Sequence, residues 1–286
     1  MSELRKNAEQ AYDEARSLAP DHPMVLLLGA GAGLGLEQYW IERERVYKQV
    51  QGAVPDWDFS YGRFLLFTGR ARAALAALGQ ARQSDPLNGL IAVNIADAYA
   101  IMGNIQAAME ELERAATLHQ TPQVLFAIIT LQTAMAVNDI QAIHTQLPFK
   151  INNVSDALNR EIASLASDKP ALRAALQRAW SDPANRTLIN SFTIAMWLAY
   201  AGDPALALEV LNGIATTHVY NKAQVWTIYD ADVTYRPLWW PVMREVRRLP
   251  GFKDLVQKLG LASYWRKSGT WGDFCRPVGE EDFECQ

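Results

Sequence analysis

The chain is 286 residues long, half hydrophobic, a tenth aromatic and a fifth charged, so it has the material for a large buried core and does not read as a disordered tail. Its formal charge is −4 with a pI near 5.6, and no run of five or more basic residues occurs, so neither nucleic acid nor anionic lipid is expected as a partner. The longest apolar stretch, Met24 to Leu36, covers 13 residues broken by four glycines, where a membrane span needs about 20, and the first residues show no secretion signal.

In chain order, apolar periodicity and its Gly and Pro interruptions predict helices over 2–18, 23–35, 37–51, 55–68, 71–84, 88–102, 105–118, 123–136 and 139–145. Further helices are predicted over 155–166, 170–180, 185–201, 204–216, 240–248 and 252–260, with irregular stretches at 146–154 and 218–239. No run sustains period-two alternation, so no sheet is required.

These helices recur in register. From Gly62 the chain places Leu65, Gly69, Ala74, Leu78, Ala81 and Pro86; from Ala96 the same steps give Tyr99, Gly103, Ala108, Leu112 and Ala115, with the proline delayed to Pro122. From Ala195 they give Leu198, Gly202, Ala207, Leu211 and Ile214. Such spacing suits antiparallel helix pairs whose backbones approach at small residues, with a glycine ending the first helix and a proline stopping the second. Between Pro122 and Leu147 the unit is degenerate, with Asn138 in the glycine slot and Ile143 in the alanine slot. At the N-terminus Ala8, Tyr12, Ala15 and Pro20 repeat the spacing of a second helix whose first helix is absent. The chain is therefore expected to be the C-terminal part of a longer protein, or else this helix serves as a terminal cap.

The Gly62 to Pro86 register resembles the tetratricopeptide repeat at every step, and the third register is tetratricopeptide-like. That resemblance implies an all-α, right-handed α-solenoid. Residues 1–148 would be repeats, 149–217 degenerate repeats ending in a tetratricopeptide-like pair, and 218–286 a C-terminal capping segment.

Five of the nine tryptophans, Trp226, Trp239, Trp240, Trp265 and Trp271, fall in the last 61 residues, so this segment is expected to pack and to close the end of the array. Pro237 to Trp240, Arg244 to Phe252, Leu259 to Leu261, Tyr264-Trp265 and Asp273 to Cys285 are also similar to the C-terminus of bacterial tetratricopeptide proteins that carry a winged-helix DNA-binding or adenylate-cyclase domain upstream. That likeness implies a sensor or assembly region of a signalling protein, periplasmic if its parent spans a membrane and cytoplasmic otherwise. Cys275 and Cys285 either close a small disulfide loop, worth roughly 2–3 kcal/mol in an oxidising compartment, or remain two thiols. No histidine stands near enough in sequence to make them zinc ligands.

No catalytic constellation emerges. The glycines after Val25 fail the dinucleotide fingerprint because its sixth place holds Leu34, and His22, His119, His144 and His218 are isolated. Neither a phosphate-binding lysine loop nor a nucleophile elbow occurs, so no cofactor, metal or enzymatic activity is expected. In tetratricopeptide arrays the first helix of each pair lines the concave wall. By that resemblance the partner-binding residues are Asp56, Phe59, Arg63 and Leu66, then Leu90, Val93, Asp97 and Ala100, then Ile189, Phe192, Met196 and Ala199. Apolar anchors among a few charges suit a peptide or a protein surface, and a non-catalytic interaction or sensory scaffold is the expected function. The alternative is a small-molecule sensor or enzyme with a pocket around Trp226, Tyr229, Asp230, Asp232, Tyr235 and Arg236.

Overall fold

The computed structural model describes residues 3–31, 34, 36–54, 56–118, 121–146, 156–186, 188–217 and 236–286. The architecture is mainly helical: α1 (Glu3–Leu18), α2 (Pro23–Gly29), α3 (Leu36–Gln49), α4 (Trp57–Phe67), α5 (Ala71–Ser84), α6 (Gly89–Ile101), α7 (Ile105–Ala116), α8 (Gln123–Val137) and α9 (Ile140–Gln146). Next come α10 (Asp156–Leu165), α11 (Lys169–Ser181), α12 (Leu188–Tyr200) and α13 (Pro204–Thr217). After two 3₁₀ turns, Arg236–Trp239 and Pro241–Met243, the chain forms α14 (Arg244–Arg247), α15 (Gly251–Lys258), α16 (Leu261–Ser268) and a hairpin of β1 (Cys275–Val278) and β2 (Asp282–Cys285).

The pairs α4/α5, α6/α7, α8/α9 and α12/α13 are helical hairpins, and α5 packs on α6, α7 on α8 and α11 on α12. One turn geometry serves all four hairpins. Gly69, Gly103 and Gly202 adopt φ of +73°, +78° and +82°, and Asn138 adopts +55°. In each turn that residue's N–H bonds three residues back and the next N–H five back, as in Arg70 to Leu65, Asn104 to Tyr99, Asp139 to Ala134 and Asp203 to Leu198, all at 2.9 Å. This left-handed cap satisfies two orphan carbonyls of the first helix, and asparagine is the residue that best replaces glycine in it. Asn138 therefore keeps the turn that its sequence slot had lost. The following residue caps the second helix: Asn104, Asp139 and Asp203 side chains accept from Ala107, Ala142 and Leu206 N–H. Arg70 breaks this rule and makes no such cap.

The small residues act where the spacing requires close backbones. A Cβ on Gly62 would stand 2.7 Å from the Leu78 side chain, and Ala74, Ala96, Ala108, Ala115, Ala195 and Ala207 are fully buried. At the N-terminus α1 lies on α2, with the Tyr12 hydroxyl over Gly29, so the opening helix has a partner within the chain.

The structure departs from expectation in three places. Helix α2 ends at Gly29 rather than 35, because Gly31 turns left-handed (φ +82°) under the Tyr39 ring. Helix α16 was not foreseen. The terminal residues form a two-stranded antiparallel sheet where none was expected, with Cys275 opposite Cys285 in register and joined as a disulfide. That hairpin tucks a fully buried Phe283 against Trp271. Among the described residues no helix is long and apolar enough to cross a membrane.

Candidate partner-binding groove

The twelve positions expected on an open wall have separate fates. Leu66, Val93, Asp97, Ala100, Phe192 and Met196 are buried, which corrects their reading as exposed contact residues. Phe59, Arg63, Leu90 and Ala199 are half-buried, Asp56 is exposed, and the Ile189 side chain lies outside the described residues. Of the alternative pocket, Trp226, Tyr229, Asp230, Asp232 and Tyr235 also lie outside them.

The correction is sharpest for Asp97. Its carboxylate, which no solvent reaches, sits 2.5 Å from the Arg236 Nε and accepts from the Trp240 indole N–H at 3.0 Å. Arg236 also donates to the Asn94 amide oxygen, and the Gln132 amide reaches Asp97 from α8 at 3.5 Å. Burial pushes the Asp97 carboxyl above the usual carboxylate range, against the pull of Arg236 and the Trp240 N–H. The face of α6 that would have met a partner is thus covered by the chain's own segment 236–243, whose second turn also rests on α8 and α12.

The C-terminal region also completes the α4/α5 turn. A helix leaves its last carbonyls without internal partners, and the three consecutive carbonyls at this end are taken by the C-terminal region. Trp239 Nε1 donates to Phe67 at 3.0 Å, Trp265 Nε1 to Thr68 at 3.0 Å, and the Asp273 N–H to Gly69 at 2.7 Å. Gly69 lies flat against Trp239, since a Cβ there would stand 2.9 Å from the ring. On the far side, Trp40 Nε1 of α3 donates to the Leu259 carbonyl at 2.9 Å, and α16 packs on α3.

Arg70 gives up capping to serve this contact. It donates to Glu44 of α3 at 3.1 Å, to Thr270 at 3.1 Å and to the Tyr264 hydroxyl, which in turn donates to Glu44 at 2.9 Å. Desolvation works to raise the Glu44 pKa, but Arg70, the Tyr264 hydroxyl and Lys48 outweigh it and hold the carboxyl below its ordinary value. A lowered folded pKa contributes stability that is present above the unfolded value of about 4.5 and is lost as pH falls through the folded one. Thermal unfolding followed from pH 7 to pH 3 should show a falling midpoint, with a shallower acid slope in Glu44→Gln. An unchanged slope in that variant would remove Glu44 from the account.

Among the described residues a concavity lies beside these contacts. Helices α3 and α4 enclose a cavity of about 80 Å³ walled by Tyr39, Arg43 and Tyr47 from α3 and by Ser60, Arg63 and Phe67 from α4. The walls are held by the Trp57 indole N–H on the Tyr47 carbonyl at 2.8 Å and by ring contacts of Tyr47 with Tyr61 and Phe64. The Arg63 guanidinium lies 5.7 Å from the ring centres of both Phe59 and Phe67, and Arg43 lies between Tyr39 and Tyr47 at 5.7 and 5.8 Å. Phe59 and Arg63 thus lie side by side on α4, and Arg43 of α3, which is not among the expected positions, lines the same cavity. Its signal was present: Tyr39, Arg43 and Tyr47 recur every four residues on one face of α3. No protein-family model, curated protein or solved structure matches this chain.

Proposed function

We propose that this chain is a right-handed α-solenoid of tetratricopeptide-like hairpins that acts as a non-catalytic scaffold, binding a peptide or protein through the α3–α4 face. Support for the repeat reading is the turn geometry shared by four hairpins. The observation that carries the functional reading is the pair Phe59 and Arg63, stacked and half-buried beside an open cavity while the neighbouring wall on α6 is covered from within. A planar cation stacked on aromatic rings is the kind of group that anchors protein interfaces. The segment 236–268 then acts as an internal wall that narrows the groove to its α3–α4 end.

Affinity capture with the purified chain from its own cell extract, wild type against Phe59→Ala/Arg63→Ala, tests this reading. A partner held by wild type and lost from the variant is expected, with unchanged far-UV circular dichroism. Retention of every captured protein by a folded variant overturns it.

A further inference from the structure

Arg43 is the most deeply set charge at the open cavity. It is 4% exposed, so nearly all of its hydration has been removed. Removal of an ion from water is costly unless a counter-charge replaces the solvent. Among the described residues the other buried cations have charged or carbonyl acceptors from within the chain: Arg70 has Glu44, Arg236 has Asp97, and Arg247 has the carbonyls of Leu238, Trp240 and Gln286. Arg43 donates to the Ala30 carbonyl at a long 3.4 Å and hydrogen-bonds the Tyr47 hydroxyl, and among the described residues no carboxylate lies within salt-bridge distance of it. A guanidinium offers five N–H donors in a planar fork and stays charged at all physiological pH. The flanking Tyr39 and Tyr47 rings fix that fork without neutralising it.

Size and shape select the ligand. A cavity of about 150 Å³ admits benzene, so one of about 80 Å³ takes a carboxylate and its short stem and no larger ring. A planar anion beside the Arg43 guanidinium and the apolar ring faces gains bidentate hydrogen bonds in a site of low dielectric.

We propose that the α3–α4 cavity is a carboxylate site, with Arg43 as its principal donor, and that it receives a glutamate or aspartate side chain of the bound partner. This rests on the scaffold reading above and gives the partner its chemistry: an acidic side chain among apolar neighbours that cover Phe59 and Phe67. Sequence net charge does not oppose it, because the contact is decided within the cavity, where salt screening is weak.

The test uses the full chain with nitrogen-labelled arginine, following the Arg43 Nε–H resonance by NMR while propionate or its neutral isostere propionamide is added. Propionate should give a saturable shift at about millimolar concentration, the range such a small ligand can reach, and propionamide none. N-acetyl-Ala-Glu-Ala-amide should then bind at least about tenfold tighter than its Gln analogue. Arg43→Gln should abolish both effects, and Ser60→Leu, which fills the cavity from the half-buried opposite wall, should do so with the arginine intact if Arg43→Gln fails to fold. No saturable propionate shift, or equal binding of the Glu and Gln peptides, overturns the proposal. Loss of these effects alongside intact partner capture overturns the carboxylate site alone. Carboxylate binding with no partner lost in the Phe59/Arg63 variant overturns the scaffold reading alone.

Discussion

Asp97→Ala should lower the unfolding free energy by about 3–5 kcal/mol, the cost of leaving one member of a buried ion pair without the other. Folded domains hold only about 5–15 kcal/mol in total, so this single change should remove a large part of the molecule's stability. The reason lies in what Asp97 faces: Arg236 is 1% exposed, and loss of the carboxylate takes away the ion pair its Nε makes at 2.5 Å. Trp240 would lose its indole acceptor in the same step. Denaturant unfolding, read by tryptophan fluorescence, measures the loss. The double variant Asp97→Leu/Arg236→Met should recover most of it, because removing both charges also removes both desolvation costs. By contrast Glu161→Ala, which breaks an ion pair with side chains 43% and 67% exposed, should change stability by less than about 1 kcal/mol. If Asp97→Ala cost no more than Glu161→Ala, the segment 236–243 would not be fastened to α6 in the way described.

The helical hairpins were legible because each reports itself locally. A glycine a fixed distance after a small residue, and a second small residue a fixed distance on, state a turn and a helix crossing within a few tens of residues. The Asn138 unit is degenerate in its letters, yet asparagine reaches the same left-handed conformation, so the backbone rule outlives the glycine. The contacts of the C-terminal segment were not legible for the opposite reason. Trp239 meets Phe67 across 172 positions and Trp240 meets Asp97 across 143, and the carbonyls that receive the Trp239, Trp265 and Asp273 donors belong to the main chain, which leaves no mark in side-chain identity.

A weaker signal for the α6 contact did exist. Helix α6 reads GLIAVNIADAYAI, with Asn94 and Asp97 the strongest polar groups in an otherwise apolar helix. A helix with no wet face is buried all round, so a carboxylate in its middle demands a buried cation from elsewhere. Arg236, set beside Pro237 and the Trp239-Trp240 pair, was the candidate for it. The two charges together place Asp97 in the interior rather than on an open wall.

Trp239→Ala should cost about 3–5 kcal/mol, the range for deleting a large buried aromatic. The ring is inaccessible to solvent and packs on Trp265, Phe252 and Phe274 at centroid distances of 5.9, 6.4 and 6.4 Å. Its removal opens a void against Gly69, where no side chain exists to relax into the space. It also frees the Phe67 carbonyl at a helix end whose neighbouring carbonyls are met by Trp265 and Asp273 from further along the C-terminal region. Trp239→Phe separates the two contributions: it keeps much of the packing and deletes the hydrogen bond, so it should cost about 1–3 kcal/mol, the penalty of one unsatisfied buried acceptor. Equilibrium unfolding of both variants supplies the numbers, and hydrogen exchange at the α4/α5 turn locates them. Faster exchange at Arg70 and Asp273 in both variants is the outcome that a cap on this turn requires. A Trp239→Ala protein with native exchange at Arg70 and Asp273 would place the lost stability in the ring cluster alone, and the helix-end contacts would be consequences of packing rather than contributors to it.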